Sequence, residues 1–465
     1  MSEVYIIKGD ARAIPLADST VQCVVTSPPY WGLRKYAGAQ DLIWGGADGC
    51  EHEWVDENRI GATGGKTEKQ VTNRGANGDG FAIHSGDCVR CGAWCGAFGL
   101  EPTIEMYVVH TVEILREIRR VLRPDGVVFW NIGDSYNSGT QFNKHENTGG
   151  YSEGRLPGHR AIVKALKPKD LCLIPERVAI AAQDDGWWVR SMIIWNKPNT
   201  MPESCTDRPT DAYEHIIMLT KSSKYFWDAD AVKEVATCER ERGTATYQQV
   251  PGGGDNGGLA SRRKPRGGPF SKAYAEQQPA HGAMRLERPE DNGTRNLRNV
   301  WTFPTQPYRG AHFATFPEEI PRRCIMAATS ERGACCSCGT PWKRVTEKPP
   351  IPAPESEYAG KWFESEDHSS AHRMNRNLKA SRDAGFGGSF APTKTIGWQR
   401  SCECLEASPP IAPQPCVVLD PFGGSGTTAR VAVQLNRNAV SLDLAYHDHA
   451  EKRTRNVQRR LVESV

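Results

Sequence analysis

Six residues near the start of the chain, Thr26-Ser27-Pro28-Pro29-Tyr30-Trp31, have the chemistry of a grip for a planar group that carries an NH2. Ser27 Oγ and the Pro28 carbonyl are acceptors for an amine, and the Tyr30 ring offers a face for stacking. Pro28 has no N–H to compete for its own neighbourhood, and Pro29 keeps the turn rigid. A second run, Asp420-Pro421-Phe422-Gly423-Gly424-Ser425-Gly426-Thr427-Thr428, is rich in glycine just before a helical pattern. Such a turn lets backbone approach a ligand closely where a helix N-terminus has N–H groups to offer. Asp443, at the end of Ala439-Val440-Ser441-Leu442, is placed to accept both ribose hydroxyls of a nucleoside. A dinucleotide site would require G-x-G-x-x-G, and the order here is different. Two further sets have metal-ligand spacing: Cys50-x-His52 with Cys88-x-x-Cys91-Gly92, and Cys335-x-x-Cys338-Gly339 with Cys402-x-Cys404. Each supplies the four N/S donors of a tetrahedral structural Zn2+ site. Cys95 competes in the first set, Cys336 can replace either member of the first pair in the second, and free thiols are the alternative.

The elements that must hold these residues are legible around them. Val21-Gln22-Cys23-Val24-Val25 reads as a buried strand that the two prolines end, and each residue before a proline is pushed out of the helical region. Val417-Val418-Leu419 reads as the strand feeding the glycine turn, and Ala429–Leu435 as the helix leaving it. Val4–Lys8 reads as a strand ending at Gly9-Asp10. The clearest helix is Thr103–Leu122, with Ile104, Val108, Val112, Leu115, Ile118 and Leu122 on one face. Pro124-Asp125-Gly126 stops it, and Val127–Ile132 is the next strand, with Gly133-Asp134-Ser135-Tyr136 a turn after it. Leu173–Gln183 reads as a helix, and Trp188–Trp195 and Ile216–Leu219 as strands.

At 465 residues the chain has room for one large α/β domain with additions. Charged residues are 24% and the formal net charge is +3, so a surface for nucleic acid has to be local. Fifteen cysteines in a chain of this length suggest metal sites or buried thiols rather than a secreted disulfide scaffold. No long apolar run and no signal-peptide pattern is present, which points to a soluble, cytoplasmic protein with no membrane partner.

Ser-Pro-Pro-Tyr together with the Asp-Pro-Phe-Gly-Gly-Ser-Gly turn resembles the paired motifs of amino-methyltransferases that act on nucleic-acid bases. The catalytic motif comes early and the cofactor loop last, an order similar to the β class of DNA amino-methyltransferases. The resemblance spans most of residues 4–35, 102–228, 301–330 and 416–460. It implies a Rossmann-like α/β class I methyltransferase fold, entered in circularly permuted order, so that N- and C-terminal strands are neighbours. It further implies S-adenosylmethionine as cofactor, held by the 420–428 turn and Asp443. In the family an acidic residue at Asp10 hydrogen-bonds the adenine, and Phe316, in His312-Phe313-Ala314-Thr315-Phe316-Pro317, packs on the cofactor. The partner implied is double-stranded DNA, from which the target base is flipped, and a homodimer is compatible with this. Serine at position 27 is the form commonest among cytosine-N4 enzymes, whereas aspartate is commoner for adenine N6. RNA or protein-glutamine methyltransferases are the alternative, but they usually have Asn before Pro-Pro and the cofactor loop first. A catalytically inactive, zinc-stabilised DNA-binding protein is a further alternative, which the intact motifs disfavour.

This gives a catalytic half at 1–35 and 101–228 and a cofactor half at 301–334 and 405–465. Two insertions, 36–100 and 335–404, each carry one of the two metal-ligand sets. Between the halves, 229–300 lacks periodicity and contains Arg262-Arg263-Lys264-Pro265-Arg266, a basic stretch suited to phosphate contacts and hence to target recognition.

Overall fold

The computed structural model describes residues 2–32, 40–55, 73–74, 80–81, 86–137, 166–235, 294–306, 316–347, 393–404, 412–455 and 457. The basic stretch Arg262, Arg263, Lys264 and Arg266 lies outside them, as do His312–Thr315. The described residues divide into two units. The first, drawn from Met1–Val232, Leu297–Val345 and Thr395–Val465, contains the large sheet. In the second, Glu234–Val235 pairs antiparallel with Thr294–Arg295, and Arg295 Nε donates to Glu234 Oε2 at 3.1 Å.

The sheet strands are β1 (Val4–Lys8), β2 (Val21–Thr26), β3 (Leu122–Ile132), β4 (Trp188–Asn196), β5 (Tyr213–Thr220), β6 (Val300–Thr302), β7 (Val417–Asp420) and β8 (Asn438–Asp443). They lie in the order β1-β8-β7-β2-β3-β5-β4-β6. All neighbours are parallel except β5, which runs antiparallel to both β3 and β4. The first and last strands of the chain are therefore neighbours, Val4 facing Ala439 and Lys8 facing Asp443.

Helices α1 (Ile104–Val121) and α2 (Ile174–Asp184) contribute to the core on one face of the sheet, and α3 (Glu319–Ala328) and α4 (Thr427–Gln434) to the core on the other. A fifth helix, α5 (His447–Thr454), follows β8. In β3, Val128, Trp130 and Ile132 enter the first core while Val127 and Phe129 enter the second, the two-residue alternation of a strand covered on both faces. Every residue of β2 is buried, polar Gln22 and Thr26 included, which is the mark of a central strand.

Helix α1 is capped by Thr103, whose Oγ1 accepts from the Met106 amide at 3.2 Å. Its buried face also takes in Tyr107, His110, Ile114 and Val121, so it is rotated from the face the apolar periodicity predicts. Arg123-Pro124-Asp125-Gly126 is not the gap before a strand: pairing with β2 starts at Leu122 and resumes at Val127, so the turn bulges out of a continuing strand.

Candidate active site and two cysteine clusters

The catalytic turn leaves the C-terminal end of β2, and the glycine turn leaves the C-terminal end of its parallel neighbour β7. The carboxylate of Asp420 joins them. Its Oδ1 accepts from Thr26 Oγ1 at 2.6 Å and from the Phe422 amide at 3.1 Å, while Thr428 Oγ1 donates to the Val25 carbonyl at 3.1 Å. Asp420 is buried, and burial pushes its carboxyl up to about 6 against the opposing hydrogen bonds from Thr26 and Thr428.

Beyond Asp420 the loop is shaped by close approach. A Cβ on Gly423 would lie 1.8 Å from Ser441 Oγ, so only glycine fits there. Asp443, at the end of β8, accepts the Gly424 amide on Oδ2 at 2.9 Å and the Ala445 and Tyr446 amides on Oδ1 at 2.8 Å each. A carboxylate has about four acceptor positions, so these bonds orient Asp443 and leave room for a hydroxyl. Phe422 stacks on Phe98 with centroids 5.7 Å apart and meets Trp130 edge-on at 6.0 Å. Ser425 and Thr427 are buried, and both hydroxyls accept from Arg453 Nη1 at 2.8 Å. Pro421 leads into the loop directly after Asp420. Gly426 is the residue before α4 and has a left-handed backbone. Phe316 is half-buried against the second core. Asp10 is held by Arg12, whose Nη2 donates to Oδ2 at 2.7 Å and whose guanidinium lies 4.3 Å from the Trp44 ring centroid.

At the catalytic turn, the Pro29 carbonyl accepts from Tyr107 Oη at 3.0 Å, and the Trp31 indole donates to the Glu101 carbonyl at 3.0 Å. Gly133 presses on the Tyr30 ring: a Cβ there would meet Cε2 at 2.8 Å. Ser27 Oγ donates to Tyr30 Oη at 3.2 Å, and Tyr30 Oη donates to Glu214 Oε2 at 2.6 Å. Asn131 Nδ2 donates to Tyr30 Oη at 2.8 Å and to Glu214 Oε2 at 3.0 Å, and Lys197 Nζ donates to Glu214 Oε1 at 2.5 Å. Sequence reasoning assigned Asn131, Lys197 and Glu214 no catalytic role; Lys197 and Glu214 lie in a passage that resembles the family's lining of the target-base pocket. Asp134 sits nearby in the chain as a turn residue, its Oδ1 accepting from the Ser135 and Ile174 amides at 2.8 and 3.1 Å.

Both cysteine sets come together with the membership read from their spacing. The ligand atoms of Cys50, His52, Cys88 and Cys91 all lie within 4.8 Å of one another, and so do those of Cys335, Cys338, Cys402 and Cys404. Cys95 and Cys336 belong to neither group; Cys336 is exposed. The two knuckles are built alike. Gly92 donates to the Cys88 carbonyl at 2.9 Å with φ +73°, and Gly339 donates to the Cys335 carbonyl at 2.8 Å with φ +72°. Burial pushes the Cys88 thiol up, but His52 and the amides of Arg90, Cys91 and Glu53 prevail and bring it to about 6. The amides of Cys338 and Ser337 bring Cys335 to about 6 as well. These are donor sets a tetrahedral Zn2+ accepts.

A mixed, mostly parallel α/β sheet carries the Ser-Pro-Pro-Tyr turn beside the glycine-rich turn, the frame of a methyltransferase of the class that uses S-adenosylmethionine. The family profile described as DNA methylase (N6_N4_Mtase) matches residues 21–336 and 413–452, and the chain belongs to this family. Its reaction is methyl transfer from S-adenosylmethionine to an exocyclic amino group of DNA, N4 of cytosine or N6 of adenine. Type II methyltransferase M.Cfr9I of Citrobacter freundii is 32% identical over 333 residues, covering 70% of this chain and 72% of its own length. Type II methyltransferase M.SmaI of Serratia marcescens is 31% identical over 331 residues, covering 70% and 76%. The solved PvuII DNA methyltransferase (cytosine-N4-specific) aligns with 97% of this chain and 86% of its own at 12% identity, with a TM-score of 0.42. Among the described residues, no helix is long and apolar enough to cross a membrane.

The raised carboxyl of Asp420 has a pH signature. An unfolded Asp titrates at about 3.9, so between that value and about 6 the folded chain binds the extra proton. Stability from this group is complete below about pH 4 and is lost as pH rises through 6. The urea midpoint of the native protein, measured against Asp420→Asn, is expected to fall from pH 4 to pH 7, by on the order of 2 kcal/mol in stability. A constant difference across that range would contradict the assignment.

Proposed function

We propose that the chain is a site-specific methyltransferase that modifies cytosine N4 in double-stranded DNA, in the cytoplasm of a bacterial or phage-infected cell. The observation that carries the choice of base is Ser27: the first position of the Pro-Pro motif holds a neutral hydroxyl, the form associated with cytosine N4. In this reading Ser27 Oγ and the Pro28 carbonyl accept the two amine hydrogens of the flipped base, Pro29 keeps the turn rigid, and Tyr30 stacks on the ring. The amine lone pair then faces the methyl group. Bound S-adenosylmethionine supplies an already activated methyl on sulfur, so positioning accounts for most of the rate gain. The nitrogen would form the new C–N bond as the C–S pair leaves with sulfur, and the proton released from the nitrogen would pass to solvent.

The cofactor side is assigned to Asp10, Phe316, residues 420–428 and Asp443. Asp443 would receive the ribose through the acceptor positions its three backbone bonds leave over. Arg262, Arg263, Lys264 and Arg266 are assigned to phosphates, within a target-recognition region at 229–300. Assembly as a homodimer is compatible with the reading.

The two four-donor groups are assigned to one structural Zn2+ each, closing the insertions at 36–100 and 335–404. Support comes from the convergence of four N/S donors in each, and a closed donor set implies a structural rather than a catalytic metal. Elemental analysis of the purified protein is expected to give two zinc per chain, with Cys88→Ser and Cys335→Ser each losing one. Metal-free protein of unchanged thermal stability would refute this.

The functional test is mass spectrometry of nucleosides from DNA of expressing cells. N4-methylcytosine is expected with the native protein and absent with Ser27→Ala. N6-methyladenine instead would overturn the choice of base, and neither product would overturn the assignment to DNA.

A further inference from the structure

A serine differs from an aspartate in that its hydroxyl both donates and accepts. If Ser27 Oγ is to accept from an amine, something must commit its own proton elsewhere. The structure contains a chain of bonds that does this. Glu214 is surrounded by donors: Lys197 Nζ at 2.5 Å on Oε1, and Tyr30 Oη at 2.6 Å and Asn131 Nδ2 at 3.0 Å on Oε2. An ionised carboxylate only accepts and an ammonium only donates, so these directions follow from chemistry alone. The Tyr30 proton is thereby committed to Glu214. The Tyr30 oxygen is left as an acceptor, facing Ser27 Oγ at 3.2 Å. The Ser27 proton goes to it; of the two serine lone pairs, one faces Asn131 Nδ2 at 3.4 Å and the other remains for the amine.

We propose that Glu214 is a positioning residue that polarises the chain Ser27→Tyr30→Glu214 and so makes Ser27 Oγ an acceptor for the exocyclic amine. The inference rests on the reading that Ser27 receives that amine. Lys197, lying 5.0 Å from the Trp195 ring centroid, holds the carboxylate in place. Asn131 is buried, and its Nδ2 must face the carboxylate because its own carbonyl oxygen would be repelled there. The five participants come from four separate pieces of sheet: the turn after β2, the end of β3, the residue after β4 and the start of β5. Being antiparallel, β5 begins where its neighbours end, and Glu214 faces Trp195 across the β4–β5 ladder.

Glu214→Gln distinguishes polarisation from a simple structural contact. Lys197 would claim the amide oxygen, turning the amide NH2 toward Tyr30 and Asn131. Tyr30 would then accept, and the chain would reverse. The single-turnover rate of methyl transfer to DNA is expected to fall about 10²- to 10³-fold. Cofactor affinity should stay within about twofold, because no cofactor group is touched. Glu214→Asp, which keeps the charge, should recover at least about tenfold of that loss. In a Tyr30→Phe background the chain is already broken, so adding Glu214→Gln should cost less than about threefold more.

A full rate for Glu214→Gln, or a loss that multiplies with that of Tyr30→Phe, would overturn the proposal. If Glu214→Gln does not fold, Glu214→Asp carries the cycle: about a tenfold loss with Tyr30 present and none with Phe is expected, and equal losses in both overturn it. Ser27→Ala separates the two levels. If it retains full rate, the assigned role of Ser27 fails. If it loses rate while Glu214→Gln does not, only the polarisation fails.

Discussion

The buried hydrogen bond from Thr26 to Asp420 ties together the two halves of the site. Thr26 is the last residue of β2 and Asp420 the last of β7, and the strands are adjacent and parallel. Their C-terminal ends therefore open on the same edge of the sheet, where ligand sites of open α/β folds form. Sheet pairing sets the coarse register, with Val418 beside Cys23 and Leu419 beside Val24. The 2.6 Å bond from Thr26 Oγ1 then fixes the last residue before the catalytic turn against the first of the glycine turn. A buried carboxylate is costly unless it is bonded. Asp420 meets that cost with Thr26 and the Phe422 amide, both from the pieces it must align.

The insertions are built into this frame. Residues around the first cysteine cluster form an aromatic layer against α1. Trp44 stacks on His110 at 4.2 Å, and Phe98 stacks on Tyr107 at 5.1 Å and on Phe422 at 5.7 Å. Phe98 thus links the insertion to the cofactor turn, and Glu101 links it to the catalytic turn through Trp31. The second cluster sits at the other end of the same strands. Arg123 Nη1 donates to the Cys338 carbonyl at 2.6 Å, and Gln22 bridges the Gly339 carbonyl at 3.3 Å and the Val417 amide at 2.5 Å. One cysteine knuckle braces the N-terminal end of β2 and β7, while the other insertion walls their C-terminal end.

Much of this was legible because the signals are local. The strands announce themselves as apolar runs ending in proline or glycine, and the permuted order follows from which turn comes first. The cysteine quartets could be paired from spacing because a Cys-x-x-Cys-Gly knuckle is a local structure, and both fold as such. What stayed hidden is what the sheet assembles from distant segments. Asn131, Lys197 and Glu214 carry no common spacing, and they meet Ser27 and Tyr30 only because the strand order is β2-β3-β5-β4. A weak trace did exist, polar residues at the ends of apolar strands, but it does not name partners. The bulge at Arg123–Gly126 was misread as a gap because a proline-glycine turn looks the same in sequence whether or not the strand resumes its pairing.

Methyl transfer as proposed requires the Ser-Pro-Pro-Tyr and glycine-rich turns to form one site across the β2–β7 seam. A crystal structure of the protein with S-adenosylmethionine tests this most directly. An amine hydrogen-bonded to Ser27 and poised for attack requires the sulfonium methyl to lie on the order of 6 Å or less from Ser27 Oγ, a hydrogen bond plus a near-attack distance. The account predicts that distance, with the ribose on Asp443. A cofactor bound at Asp443 with its methyl directed away from Ser27, beyond about 10 Å, would contradict it.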